Sequence, residues 1–286
     1  MALILDGKVI AKKIEAKIKK RVSKMTSRPK LAVIQVGNDP ASSVYVKNKL
    51  EACKRVGIES EVILIDKIEA VQAAENGSCL VQKEIRRLNK DLSITGILVQ
   101  LPVPKELDFS KIVSLINPCK DVDGFSPKKA KEIIPCTAKG CLYLIKETGI
   151  IIKGKQAVVI GRGYIAGKPI AQLLYEEGAI VDICDKKTIN LEKHTRQADI
   201  LVSAVGYPHL IKKDMVKEGA VVIDIGITRE EIDNGQHQLT GDVDFEEVKE
   251  IASAITPVPG GVGPVTVVML LENALICKEM QKETEQ

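Results

Sequence analysis

Apolar and polar positions alternate in blocks along this chain. A segment reaching to about Met25 repeats apolar residues at helical spacing and predicts an amphipathic helix. KLAVIQVG is a continuous apolar run of strand length. ASSVYVKNKLEACKRVGI, residues 41 to 58, returns to helical spacing, and SEVILID again predicts a strand. LVQKEIRRLNK then predicts a helix, and ITGILVQLPVP a strand stopped by Pro102 and Pro104. From Asn117 to Gly140 loop signals mix with a short helix, as expected of a junction between domains. At Gln156 the rhythm restarts: QAVVIG, AIVDICD, DILVSAVG and GAVVIDIGI as strands, KPIAQLLYEEG and LEKHTRQA as helices. VVMLLENALICKEM, near the end, is apolar on most sides and predicts a buried helix. Alternation of this kind favours parallel sheets covered by helices, and the second half has a doubly wound, nucleotide-binding rhythm. No internal repeat or low-complexity tract interrupts it.

One residue breaks the pattern of the helix at 41 to 58. At about 100° per residue, Tyr45, Val56, Lys49, Cys53, Val46 and Leu50 fall in that order on one arc. Lys49 therefore sits inside the apolar stripe, while Lys47, Asn48, Glu51, Lys54 and Arg55 share the opposite face. By helix pattern alone such a lysine lays its stem on the apolar surface and lifts its amine into water. The alternative is an amine held beside a ligand, with Tyr45 one turn earlier on the same side.

The 286 residues suit two domains and bury enough surface to need neither metal nor disulfide staples. Apolar residues at 45% and charged residues at 28% are those of an ordinary globular protein. A net charge of +4 scattered over several helices, with 3% aromatics and no tryptophan, provides neither a basic face nor stacking platforms, so no nucleic-acid partner is expected. The seven cysteines (Cys53, Cys79, Cys119, Cys136, Cys141, Cys184, Cys277) are odd in number and form no C-x-x-C pair, as reduced thiols do. MALILDGKVIAKKI has too few apolar residues for a signal peptide or a membrane span, and a cytoplasmic protein without membrane contact is expected.

Candidate chemistry begins at VVIGRGYIAGKPIA, where a predicted strand ends at Gly161 and a helix opens near Gly167. Glycines there let backbone approach a pyrophosphate, and free N–H groups at a helix start hold its charge. The spacing G-x-G-x-x-x-G is one residue longer than the common fingerprint. Asp185 follows Gly161 by 24 residues, close to where an acidic group bonds the ribose 2′-hydroxyl of NAD, yet Lys186 and Lys187 suit the 2′-phosphate of NADP, and the residues leave both open. No metal is expected: DVDG lacks the spacing of a calcium loop, and His194, His209 and His237 lack ligand spacing and read as surface residues.

YVKNK, VQLPVP, KDVDGF, PCTAKG, GRGYIAGKP, GAVVIDIGI, GDVDF and TPVPGGVGP occur in an order that resembles the bifunctional methylenetetrahydrofolate dehydrogenase/methenyltetrahydrofolate cyclohydrolase family over nearly the whole chain. The resemblance implies an α/β fold of two domains. An amino-terminal folate-binding domain would cover residues 1–119 and be completed by a C-terminal helix, 264–286; a Rossmann-type NAD(P)-binding domain would cover 120–263, with the active-site cleft between them. By similarity Lys49 is the catalytic lysine, acting with Tyr45, Gln100 and Asp123. Ser42, Tyr45, Val99, Gln100, Leu101, Asp123, Gly261, Val262, Gly263 and Pro264 would surround the folate. Gly161, Arg162, Gly163, Asp185, Lys186, Ile227, Gly263 and Thr266 would hold the dinucleotide, NADP with NAD left open. A tetrahydrofolate derivative is the implied substrate, no metal takes part, and a cytoplasmic homodimer serving one-carbon metabolism and purine biosynthesis is implied. Three positions depart from the family pattern: Gly163 replaces a usual serine, and Asp185 and Lys186 stand where histidine and serine are usual.

The implied first reaction moves hydride to the nicotinamide and needs two rings held face to face without water. In the second, water adds to the methenyl carbon and a carbon–nitrogen bond breaks to give 10-formyltetrahydrofolate. A lysine assists there by orienting water, stabilising charge or transferring a proton, the last helped by burial, which can lower a lysine by up to 3–5 pKa units. Asp123 would accept two hydrogen bonds from the pterin edge. A dehydrogenase for a small hydroxy or amino acid, or a noncatalytic dinucleotide sensor, leaves Tyr45 and Lys49 unexplained.

Overall fold

A computed structural model describes residues 2–75, 79–232 and 236–284. In chain order the elements are β1 (Leu3–Ile4), α1 (Gly7–Val22), β2 (Lys30–Val36), α2 (Pro40–Val56), β3 (Glu59–Ile65), α3 (Lys67–Glu75), α4 (Leu80–Lys90), β4 (Gly96–Val99), α5 (Phe109–Val113), α6 (Cys136–Glu147), β5 (Gln156–Ile160), α7 (Gly167–Glu176), β6 (Ile180–Cys184), α8 (Leu191–Thr195), β7 (Ile200–Ser203), β8 (Val221–Asp224), β9 (Thr228–Ile232), β10 (Gln236–Thr240), α9 (Phe245–Val248), β11 (Ala254–Ile255) and α10 (Val262–Thr284). They form two compact units, one of Lys13–Cys136 with Val267–Gln286, the other of Met1–Lys12 with Thr137–Thr266.

The first unit is built on a three-stranded parallel sheet ordered β3-β2-β4. Leu31, Ala32, Val33 and Ile34 of central β2 are wholly buried, which is why that strand reads as an unbroken apolar run, whereas edge strand β3 alternates. Helix α2 starts where Asp39 accepts a hydrogen bond from Ser42 N at 2.8 Å and Pro40 takes the first turn; its buried stripe is Val46, Cys53 and Val56.

The second unit carries a six-stranded, all-parallel sheet ordered β1-β11-β8-β7-β5-β6. The chain runs from β5 to β6 on one side, then crosses to β7 on the other, so the strand order reverses about β5. Ile160, Leu201, Val222 and Ile255 fill its core. Among the described residues, no helix is long and apolar enough to cross a membrane.

The compact units divide elsewhere than the bounds that the resemblance implies. Residues 120–136 go with the first unit, because Asp121 pairs with Ile97 beside β4 and Asn273 of α10 donates to Val122 O and Ile134 O, both at 2.9 Å. The amino terminus goes with the second unit, because β1 extends the large sheet beside β11. The β9–β10 hairpin was not expected: THR–ARG–GLU–GLU–ILE, Thr228 to Ile232, carries charges where a half-buried strand would alternate.

Candidate active site

The odd lysine of α2 is half-buried, and its partner lies 51 residues on: Lys49 Nζ donates to Gln100 Oε1 at 3.0 Å. Gln100 follows β4 directly. Its backbone N–H donates to Ile34 O at 2.8 Å and its Nε2 to Leu101 O at 2.6 Å, so the amide oxygen is fixed toward the lysine. Ser42 Oγ reaches the same Leu101 carbonyl at 3.5 Å. Tyr45, one turn before Lys49, is 42% exposed and Val46 beside it is buried. The arc is thus graded, core at Val46 and Cys53, open at Tyr45, with Lys49 on the border.

The two aspartates of KDVDGF divide the work. Asp121 is buried and accepts from Gly124 N at 3.0 Å and Ser126 N at 2.8 Å, which shapes the turn. Asp123 is half-buried beyond it. Burial pushes its carboxyl up to about 6, against the opposing pull of the Lys49 ammonium; Asp121 adds to the rise and a hydrogen bond with Cys136 offsets part of it. Lys49, Gln100 and Asp123 therefore share one electrostatic neighbourhood. Val99 is a buried sheet residue, and Leu101 is half-buried beside Gln100.

A second group of expected residues gathers in the other unit, at the carboxyl ends of β5 and β6. Gly161 has φ +107°, and a Cβ there would stand 2.5 Å from Ala204 O. Gly167 opens α7 so close that its Cβ would meet Gly161 O at 1.9 Å. Both positions require glycine, whereas nothing lies within 4 Å of a Cβ at Gly163, which leaves room for a ligand. Arg162 donates to Ile183 O at 2.8 Å and pairs through Nε with Asp185 at 3.0 Å. The other Asp185 oxygen accepts from Lys187 N at 2.8 Å, so the carboxylate that suits a ribose hydroxyl is already engaged, while Lys186 and Lys187 are exposed. Ile227 is exposed after β8. Gly261, Val262, Gly263 and Pro264 lead into α10, where Thr266 Oγ1 bonds Val262 O at 3.1 Å, and the Gly263 Cβ position is open.

One convergence was not visible in spacing. Asp182, Cys184 and His194 bring ligand atoms within 4.8 Å of one another, two on one face of β6 and one on α8. Asp182 and His194 hydrogen-bond to each other at 2.5 Å, while burial pushes the Cys184 thiol, hydrogen-bonded with Thr188, up to about 11. His209 meets Glu230 and Asp244 at 3.9 and 4.0 Å. Asn273 escaped the sequence reading as well: an amide within an apolar stretch of helix gives no signal until its carbonyl partners, more than 130 residues away in sequence, are known.

Comparison with known proteins matches both parts of the chain. Residues 5–123 fit the model of the tetrahydrofolate dehydrogenase/cyclohydrolase catalytic domain, and residues 135–282 that of the NAD(P)-binding domain of the same family. The bifunctional protein FolD of Aquifex aeolicus is 49% identical over 287 residues, covering 96% of this chain and 94% of that protein. The crystal structure of the bifunctional FolD methylenetetrahydrofolate dehydrogenase/cyclohydrolase of Campylobacter jejuni superposes with a TM-score of 0.89 at 40% identity, covering 98% of this chain and all of that one. That of the Trypanosoma brucei enzyme, complexed with NADP cofactor and inhibitor, has a TM-score of 0.90 at 35% identity, covering 98% of each chain. With models of both family domains matched, over residues 5–123 and 135–282, the chain belongs to the tetrahydrofolate dehydrogenase/cyclohydrolase family.

Proposed function

We propose that this chain oxidises 5,10-methylenetetrahydrofolate to the methenyl form and hydrolyses that to 10-formyltetrahydrofolate, with Lys49 as the catalytic lysine of the second step. The observation that carries the reading is the 3.0 Å bond from Lys49 to Gln100 beside the Asp123 carboxyl. Tyr45, open to solvent one turn before Lys49, offers a ring face to the aminobenzoyl group. Asp123, ionised above about pH 6, accepts two hydrogen bonds from the amino-pyrimidinone edge and orients the pterin toward the lysine. Ser42, Val99 and Leu101 complete the folate contacts proposed for this unit.

In hydrolysis, water adds to the methenyl carbon and surrenders a proton; the carbon–nitrogen bond to N5 then breaks and N5 takes a proton. The Lys49 side chain holds that water and its charge, and Gln100 aims the amine without neutralising it. Bound NADP supplies the acceptor for hydride in the first step. Gly161 and Gly167 would admit its pyrophosphate, with Gly163 leaving space; Ile227 and Thr266 would contribute to holding the dinucleotide, and Arg162 and Lys186 would offer positive charge to a 2′-phosphate. The prior engagement of Asp185 by Arg162 and Lys187 N favours NADP over NAD. We take the working form to be a cytoplasmic homodimer feeding one-carbon units to purine biosynthesis, a reading supported by the family resemblance.

Absorbance assays with methylenetetrahydrofolate and either dinucleotide should show reduction, faster with NADP+, followed by hydrolysis. Lys49→Met should abolish cyclohydrolase turnover while folate binding stays measurable; hydrolysis at the wild-type rate would exclude the role given to Lys49.

A further inference from the structure

Asp224 and Asp242 stand in the words VVIDIGI and GDVDF, and both side chains are buried. Asp224 ends β8. One of its oxygens accepts from Gly226 N at 2.9 Å and Asp242 N at 3.1 Å, the other from Val243 N at 2.8 Å. Asp242 in turn accepts from Ser203 Oγ and Val205 N, both at 2.8 Å, on one oxygen and from Tyr207 N at 2.9 Å on the other. Two carboxylates thus gather the turns that follow β7, β8 and β10. The two oxygens of a carboxyl group offer enough acceptor sites for the three bonds that each of these side chains receives.

The turn after β7 is where these bonds meet the proposed cofactor residues. Ala204 O abuts Gly161, beside the strand about which the sheet order reverses, and open α/β sheets bind ligands at that point. Val205, Gly206 and Tyr207 are exposed, so the turn owes its shape to what holds it from beneath.

We propose that Asp242 is a positioning residue for the dinucleotide: it sets the 203–207 turn against which the cofactor docks, and Asp224 fixes the backbone of Asp242 itself. This rests on the dehydrogenase reading above, and Asp242 acts through Val205 and Tyr207.

The test is Asp242→Asn, assayed in both reactions and by calorimetric titration with NADP+. Asparagine turns an NH2 toward groups that now donate to a carboxylate, so at least one of the three bonds becomes a clash of donors. The expected result is a KM and dissociation constant for NADP+ raised on the order of tenfold or more, with kcat less affected. Hydrolysis of methenyltetrahydrofolate, which needs no dinucleotide, should keep its wild-type KM and kcat. Gly226→Ala should give the same split from the opposite side, since its Cβ would stand 2.0 Å from Asp242 Oδ1. If Asp242→Asn fails to fold, Ser203→Ala deletes a single donor and should produce a smaller rise of the same kind. Unchanged NADP+ affinity in the folded variants, or equal loss of both activities, overturns the proposal. A wild-type protein that reduces no dinucleotide would refute the functional reading instead, and the calorimetric comparison would still decide the role of Asp242.

Discussion

Gln100 meets Lys49 with a neutral amide, and that choice determines what the lysine does. A carboxylate at 3.0 Å would pin the ammonium and cancel its field, whereas an amide oxygen orients the group without cancelling its charge. The charge nearest in effect belongs to Asp123, whose carboxyl titrates near 6 because burial outweighs the ammonium. The sign of the consequence follows. Asp123 is an acceptor above about pH 6 and takes a proton below it, so folate affinity should fall as pH drops, approaching about tenfold per unit. Calorimetric binding of a folate analogue between about pH 5 and 8 should show that limb in the wild type and a weaker, flat profile in Asp123→Asn. At this scale the sequence exposed Lys49 through its misfit in a helical stripe, but not which of Asp121 and Asp123 shapes the turn. The two differ only in where the folded backbone sends their carboxylates.

Elements with strong local signals were readable. Helix α2 announces itself by a period of apolar residues, and β2 by its uninterrupted run. The β9–β10 hairpin and the two-residue strands β1 and β11 were not, because they are held by pairing with partners elsewhere rather than by their own pattern. The loop carrying Asp123 is a further case. It is clamped by Asn273, whose Nδ2 donates to two carbonyls from the wholly buried face of α10. Asn273→Ala leaves both carbonyls short of a donor, and should cost about 1–3 kcal/mol in denaturant unfolding. Folate affinity should weaken with it, since the clamped segment holds Asp123. A variant as stable as wild type would show the clamp to be dispensable.

At the scale of the molecule, stability and ionisation meet in Asp224. Burial first, and the neighbouring Asp242 after it, push its carboxyl up to about 7 despite three backbone bonds. Since an unfolded aspartate titrates near 4, the folded chain binds the extra proton between about pH 4 and 7, and stability falls as pH rises through that window. Asp91, Asp108, Asp199 and Asp244 have lowered values, so their contribution appears above the unfolded range and is lost only in stronger acid. Thermal unfolding followed over about pH 4 to 8 should therefore decline toward neutrality in the wild type, by roughly 2–4 kcal/mol, and be flatter in Asp224→Asn. From the sequence by itself came the α/β class, two sheets built by alternating strands and helices, the glycine turn and the singular lysine, because periodicity and turn chemistry act between residues a few positions apart. Where one unit stops, that Asn273 clamps the segment around Asp123, and that Arg162 pairs with Asp185 were decided by contacts between segments tens to hundreds of residues apart. Such contacts exist only once burial has brought those segments together, and no local pattern encodes them.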